Sequence, residues 1–237
     1  MNAQAAEHAP CAIILAGGFG TRLRSLVSDV PKPMASVGGR PFLAHLLDHL
    51  ERQGIQRIIL ALGYKHEAFI DYFGARYRSM LLGYLIEEAP LGTGGALRRA
   101  LEVVEKGPIL ALNGDTFLAL DYGSMLTAHL AAGAVLTIAL RQAPDAGRYG
   151  LAVVEQGRVT AFFEKSNATP GWVNAGVYIL ERDIFAPFNL PEVFSFERDF
   201  LQTYCTQLRP LAYPTNASFI DIGTPEDYLR VKQGLSI

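Results

Sequence analysis

From Cys11 to Leu140 the chain alternates short apolar runs with segments of helical periodicity. Cys11–Ala16 reads as a buried strand that opens into a glycine loop. Pro41–Gln53 predicts a helix, with Pro41 suited to its first turn, an apolar stripe of Phe42, Leu43, Leu46, Leu47 and Leu50, and Gly54 as its stop. The same reading gives strands at Arg57–Leu62, Leu82–Glu87, Ile109–Leu112 and Val135–Leu140. Helices are expected at Lys65–Phe73, Gly94–Glu105 and Tyr122–Ala132. Such alternation predicts an α/β fold: a doubly wound, mainly parallel, Rossmann-like mixed sheet covered on both faces. Ligands are then expected at the C-terminal ends of the strands.

After Leu140 the period changes. Tyr149–Glu155, Arg158–Phe163 and Trp172–Leu180 are strand-like, and Gln156-Gly157 suits a hairpin turn between the first two. They predict a small antiparallel insertion rather than an independent domain. A last strand, Ser218–Asp221, leads into a helix with Thr224 as N-cap, Pro225 in its first turn, Asp227 as a favourable charge and Gly234 as its stop. The expected organisation is a tail over 1–10 and one domain over 11–237. Within it, 11–140 would take a nucleotide, 141–222 a sugar, and 225–233 the closing helix.

Composition narrows the field. Of 237 residues, 50% are hydrophobic and 19% charged, enough for a sizeable core. A net charge of −2 speaks against a nucleic-acid partner, so any phosphate site must be built locally. Cys11 and Cys205 lack metal-ligand spacing and read as buried free thiols. The first ten residues carry no secretory signal, and no apolar run approaches the ~20 residues of a membrane span. A soluble, cytoplasmic protein with no membrane partner is expected.

The strongest local signal is the loop Leu15-Ala16-Gly17-Gly18-Phe19-Gly20-Thr21-Arg22-Leu23. Its glycines let backbone N–H groups approach a phosphate chain, although a tight strand-to-helix turn uses glycine equally well. It lacks the Gly-Lys-Ser/Thr ending of a Walker loop, and Leu23 stands where the dinucleotide fingerprint needs glycine. Instead it supplies Arg22, and Lys32 follows between Pro31 and Pro33, which would hold its backbone extended. Two cations beside one glycine loop suit a triphosphate.

Asn113-Gly114-Asp115 follows a strand directly, and Asp221 ends another. Alone each aspartate fits a turn or cap; together they could share one Mg²⁺, which takes one or two carboxylates with substrate phosphate oxygens. Glu164-Lys165 offers an acceptor for sugar hydroxyls and a cation for a sugar phosphate, or a surface ion pair.

In order and spacing, these motifs resemble the sugar-1-phosphate nucleotidyltransferase family. Pro90-Leu91-Gly92-Thr93-Gly94 and Asn174-Ala175-Gly176 join them, and the resemblance runs from about Cys11 to Gly234. Val27–Ala35, Gly63-Tyr64-Lys65-His66-Glu67 and Asn113–Phe117 are similar to the guanylyltransferases that act on D-glycero-D-manno-heptose 1-phosphate. That likeness implies GDP-heptose made for a bacterial surface polysaccharide. Mannose-1-phosphate guanylyltransferases and uridylyl or thymidylyl enzymes share most of the same motifs.

The resemblance implies in-line attack by a sugar 1-phosphate on the α-phosphorus of a nucleoside triphosphate. It places the nucleotide against Leu15, Ala16, Gly17, Gly18, Gly20, Thr21, Arg22, Lys32, Glu87, Gly92 and Thr93, and the sugar along Asn113, Gly150, Glu164, Lys165 and Asn174. Arg22 and Lys32 would act on the triphosphate, Asp115 and Asp221 on Mg²⁺, and Lys165 on the incoming phosphate. Glu87 stands at the family's base-reading position. One carboxylate can accept both N–H donors of guanine's edge, so GTP is the expected partner. A catalytically silent nucleotide-sugar-binding subunit and a dinucleotide-dependent oxidoreductase are the rivals, and a homo-oligomer is compatible with the chain.

Overall fold

The computed structural model describes residues 11–18, 30–105, 107–143, 150–163 and 170–232. The expected tail at 1–10, Gly20, Thr21, Arg22, Glu164, Lys165 and Gly234 lie outside the described residues. In chain order the strands and helices are β1 (Cys11–Leu15), β2 (Ser36–Val37), β3 (Arg40–Pro41), α1 (Phe42–Arg52), β4 (Arg57–Leu62), α2 (Glu67–Phe73), β5 (Arg76–Tyr77) and β6 (Met80–Ile86). Then come α3 (Gly92–Glu102), β7 (Pro108–Asn113), β8 (Thr116–Leu118), α4 (Tyr122–Ala131), β9 (Leu136–Ala143), β10 (Leu151–Glu155), β11 (Arg158–Phe163) and β12 (Gly171–Glu181). A π-helical segment (Phe196–Leu201) precedes α5 (Gln202–Leu208), β13 (Leu211–Pro214), β14 (Phe219–Asp221) and α6 (Pro225–Lys232).

By mutual contact the chain groups into two units. The first holds residues 1–90, 112–119 and 219–237, and the second 91–111 and 120–218. This grouping by contact differs from the functional division expected near residue 140, because α3, α4, β9 and most of β7 fall in the second unit.

In the first unit the strands run β1-β4-β6-β5. β4 is parallel to both β1 and β6, and the short β5 closes the edge antiparallel. Ala12, Ile13, Ile14 and Ile58–Leu62 are buried, as expected for strands covered on both faces. The apolar stripe of α1 is fully buried, which explains why it forms where the 3.6-residue period places it. Pro41 is its N-cap rather than a first-turn residue, since it also closes the β2–β3 pair. α2 starts at Glu67, two residues later than its periodicity suggests, because Lys65 takes a left-handed φ of 53°.

In the second unit the order is β10-β11-β13-β9-β12-β7. β9 ends the alternating part of the sequence yet pairs antiparallel with β12 and parallel with β13. The β10–β11 hairpin turns on Gln156 and Gly157, both at positive φ (50° and 74°), as a two-residue primed turn requires. Phe185, Phe188, Phe194, Phe196, Phe200 and Tyr204 form an aromatic cluster that carries the π-helical segment. The fold is α/β with mixed strand directions, and among the described residues no helix is long and apolar enough to cross a membrane.

Candidate active site

In the first unit the strand ends meet where the sequence places ligands. Past β1, Ala16 N–H donates to the Ala61 carbonyl, and Gly114 N–H donates to the Leu15 carbonyl, both at 2.9 Å. Glu87, just beyond β6, donates its N–H to the Leu62 carbonyl (2.8 Å). Gly17 has no space for a side chain: a Cβ there would stand 2.7 Å from Glu87 Oε1 and 3.3 Å from Gly63 N. The half-buried Glu87 carboxylate therefore lies against the start of the glycine loop, while Gly18 is exposed with open space around it.

Asp115 sits in the turn between β7 and β8. Antiparallel pairing of β8 with β14 sets Thr116 opposite Asp221, and Ile222 N–H donates to the Asp115 carbonyl at 3.1 Å. The two aspartates, more than a hundred residues apart in the chain, are thus brought together by one short ladder. Gly223 N–H donates to Asp221 Oδ1 at 2.5 Å. Lys32 Nζ meets Asp115 Oδ2 at 2.5 Å with only 9% of its side chain exposed. Lys32 is not extended as expected: Pro31 is, but Lys32 opens a 3₁₀ turn to Met34. Pro33 is accommodated because the first turn of a helix does not use its missing N–H.

Burial raises the Asp221 carboxyl above the ordinary carboxylate range. The charge of Asp115 pushes the same way, and Lys32 opposes both. Two oxygen-donor carboxylates, with the charge of Asp115 opposing ionisation of Asp221, fit a hard divalent cation. Among the described residues no third acidic, His or Cys ligand joins them, so substrate oxygens or water would complete the sphere. Asn113 adds a buried Oδ1 with no hydrogen-bond partner among the described residues, an acceptor suited to a ligand hydroxyl.

Gly92, Thr93, Gly150 and Asn174 lie in the second unit. Gly92 has φ +72°, and a Cβ on it would stand 2.5 Å from the Phe194 carbonyl oxygen, so glycine lets the start of α3 approach that backbone. The Thr93 side chain turns to Glu197 Oε2, donating at 2.8 Å, and accepts from Phe196 N–H at 2.9 Å. Asn174 N–H donates to the Gly150 carbonyl (2.8 Å), and its amide engages Gly176 N–H and Tyr178 OH. Tyr178 and Glu197 are polar members of this group that the motifs do not announce; a glutamate inside an aromatic stretch, Phe194-Ser195-Phe196-Glu197, is the only hint in the sequence.

The nucleotidyl transferase family model matches residues 11–236. The chain is 43% identical over 224 residues to the D-glycero-alpha-D-manno-heptose 1-phosphate guanylyltransferase of Aneurinibacillus thermoaerophilus, covering 94% of this chain and 97% of that protein. It is 44% identical over 218 residues to the enzyme of the same name from Campylobacter jejuni, covering 92% and 96%. Among solved structures, HddC from Yersinia pseudotuberculosis complexed with GMP-PN superposes with a TM-score of 0.83 at 39% identity, over 94% of this chain and 98% of that one.

Proposed function

The chain belongs to the nucleotidyl transferase family, and on that premise we propose that it transfers GMP from GTP to D-glycero-α-D-manno-heptose 1-phosphate, releasing pyrophosphate. The observation that carries the transfer chemistry is the convergence of Lys32, Asp115 and Asp221 beside the glycine loop in the first unit. The sugar and base rest on the likeness to the two heptose 1-phosphate guanylyltransferases, and on the Glu87 carboxylate against Gly17.

A sugar phosphate oxygen attacks the α-phosphorus, forming one P–O bond as the bond to the β-phosphate oxygen breaks and pyrophosphate leaves. The nucleophile needs no general base, because a phosphate monoester with a second pKa of about 6 is already largely dianionic at neutral pH. The barrier is repulsion between anions, so alignment and charge neutralisation do the catalytic work. Lys32 supplies a positive charge with little freedom to move, and Arg22 a second from the glycine loop. Lys165 receives the incoming phosphate. Asp115 and Asp221 would hold a divalent cation, taken here as Mg²⁺, which supplies further neutralisation of phosphate charge when bound. Glu87 would accept the N1–H and N2–H of guanine, and by family likeness Asn113, Gly150, Glu164 and Asn174 are assigned to sugar binding. The enzyme works in the cytoplasm on dissolved substrates.

A matrix of the four common triphosphates against sugar 1-phosphates, read by pyrophosphate release, tests the assignment. GTP with the heptose 1-phosphate should give the highest kcat/KM. A higher value for mannose 1-phosphate, or for UTP or dTTP, would reassign the substrate.

A further inference from the structure

Around Asn174 the hydrogen bonds run in one direction. Gly176 N–H donates to Asn174 Oδ1 (3.0 Å), which fixes that atom as the amide oxygen and leaves Nδ2 to donate to Tyr178 OH (2.5 Å). The Tyr178 hydroxyl, accepting from Asn174, donates its own proton to Glu197 Oε1 (3.3 Å). The other carboxylate oxygen, Oε2, receives Thr93 Oγ1 (2.8 Å) and Ser195 Oγ (3.4 Å). Glu197 thus ends a chain as an acceptor that cannot reverse. The scaffold around it is rigid: Tyr178 is fully buried, and Phe196 packs edge-on against its ring at 5.0 Å. Glu197 itself projects from a π-helical turn, a geometry rare in proteins and concentrated at functional sites.

We propose that Glu197 is a positioning residue for the sugar-phosphate subsite, acting through Tyr178 to hold the Asn174 amide with its remaining N–H presented as a donor to the sugar phosphate. The inference rests on the reading of Asn174 as a sugar-side residue. It adds that the donor polarity of this subsite is set by Glu197 and its clamp, Thr93 and Ser195. If Tyr178 loses its acceptor, its hydroxyl is free to donate to Asn174 instead. The amide then has to flip against Gly176 N–H, or the contact is lost. Either way the amide N–H is no longer held towards the sugar. Asn174 is half-buried, so a ligand can reach its amide, and among the described residues its second Nδ2 hydrogen has no partner.

The test compares wild type, Tyr178→Phe, Glu197→Gln and the double variant. KM is measured separately for D-glycero-α-D-manno-heptose 1-phosphate and for GTP, with Tm recorded for each protein. Tyr178→Phe should raise KM for the sugar phosphate about tenfold, the scale of one hydrogen bond, and leave KM for GTP within about twofold. Glu197→Gln should raise the same KM about three- to tenfold. The double variant should be no worse than Tyr178→Phe alone, because residues acting through one path are non-additive. Equal effects of Glu197→Gln on both substrates, no effect on either, or full additivity with Tyr178→Phe would overturn the inference while wild-type turnover stood. A wild type that releases no pyrophosphate with any sugar 1-phosphate would overturn the reading of the site and this inference with it.

Discussion

Lys32, Asp115 and Asp221 in the first unit, and Asn174, Tyr178, Thr93 and Glu197 in the second, are assembled on opposite principles. In the first group like charges are held together: Asp221 is made harder to ionise by burial and by Asp115, and the Lys32 ammonium opposes this only in part. In the second group hydrogen bonds run from the Asn174 amide through Tyr178 to Glu197, and the hydroxyls of Tyr178, Thr93 and Ser195 all donate to the Glu197 carboxylate. A cluster of charges left partly unbalanced by the protein is completed by a ligand, whereas a satisfied network sets geometry before any ligand arrives. The first region should therefore govern the chemical step, and the second the fit of one substrate.

The largest test of that contrast is removal of either carboxylate. Asp115→Ala or Asp221→Ala should lower kcat/KM by at least about 10²-fold, the scale of losing one preorganised electrostatic contact. Chelation should abolish turnover of wild type, and Mg²⁺ should restore it. Full activity in Asp221→Ala with unchanged metal dependence would remove Asp221 from the site and dissolve the contrast.

Next in size is the base. Glu87→Gln replaces one acceptor oxygen by a donor NH₂ that would face a guanine N–H. Hydrogen bonds to charged groups contribute about 1.5–3 kcal/mol, so kcat/KM for GTP should fall roughly 10- to 100-fold, and that for UTP much less. Because a side chain on Gly17 would collide with Glu87, Gly17→Ala should lower GTP use in the same direction. An unchanged GTP-to-UTP ratio in Glu87→Gln would mean that this carboxylate does not read the base.

Legibility follows the same division. Glu87, Asn113, Asp115 and Asp221 are readable because they adjoin apolar runs of strand length, so periodicity locates them at strand ends, whereas Lys32 is readable only from the prolines that flank it after the glycine loop. The pairing of Asp115 with Asp221 needs the β8–β14 ladder, and β8 is only three residues long, too short to register as a period. Glu197 is harder still. The π-helical turn that carries it has no 3.6-residue stripe, and its neighbours Phe194, Phe196 and Phe200 are fixed by aromatic packing across distant segments. β13 escapes for a similar reason, since Leu211–Pro214 ends in a proline that argues against a strand. Alternation from Cys11 to Leu140 correctly announces α/β architecture, but it cannot show that β9 runs antiparallel to β12, a choice made by residues beyond it.

A moderate effect should separate the two cations that lie outside the described residues. Lys165→Ala should raise KM for the sugar phosphate about tenfold with little change for GTP, as for loss of one charge-assisted contact. Arg22→Ala should act on GTP and on kcat. Steady-state kinetics varying each substrate in turn decides it, and equal effects of Lys165→Ala on both substrates in a folded protein would contradict the division.

The smallest expected effect concerns stability, and it sharpens the contrast most directly. The folded pKa of Asp221 is raised from 3.8, chiefly by burial and then by Asp115. A carboxyl with a raised folded pKa binds its proton more tightly in the native than in the unfolded chain, so native stability falls as pH rises from 3.8 through the raised value. Above that window the cost is fully present. Asp221→Asn keeps an oxygen to accept from Gly223 N–H and removes the charge. In metal-free buffer at pH 7 it should raise Tm, on the order of 2 °C, since a chain of this length moves by only about 2–4 °C per kcal/mol. The gain should shrink as the pH falls through the raised value towards 3.8, because the wild-type carboxyl then takes up its proton. Adding Mg²⁺ should raise the wild-type Tm and leave Asp221→Asn nearly unmoved, because only the charged site binds the ion in the native state. Tyr178→Phe should do the reverse at every pH, lowering Tm by removing a satisfied buried hydroxyl. If Asp221→Asn were instead less stable than wild type at pH 7, the first region would be as self-satisfied as the second, and its charges would have to be read as structural.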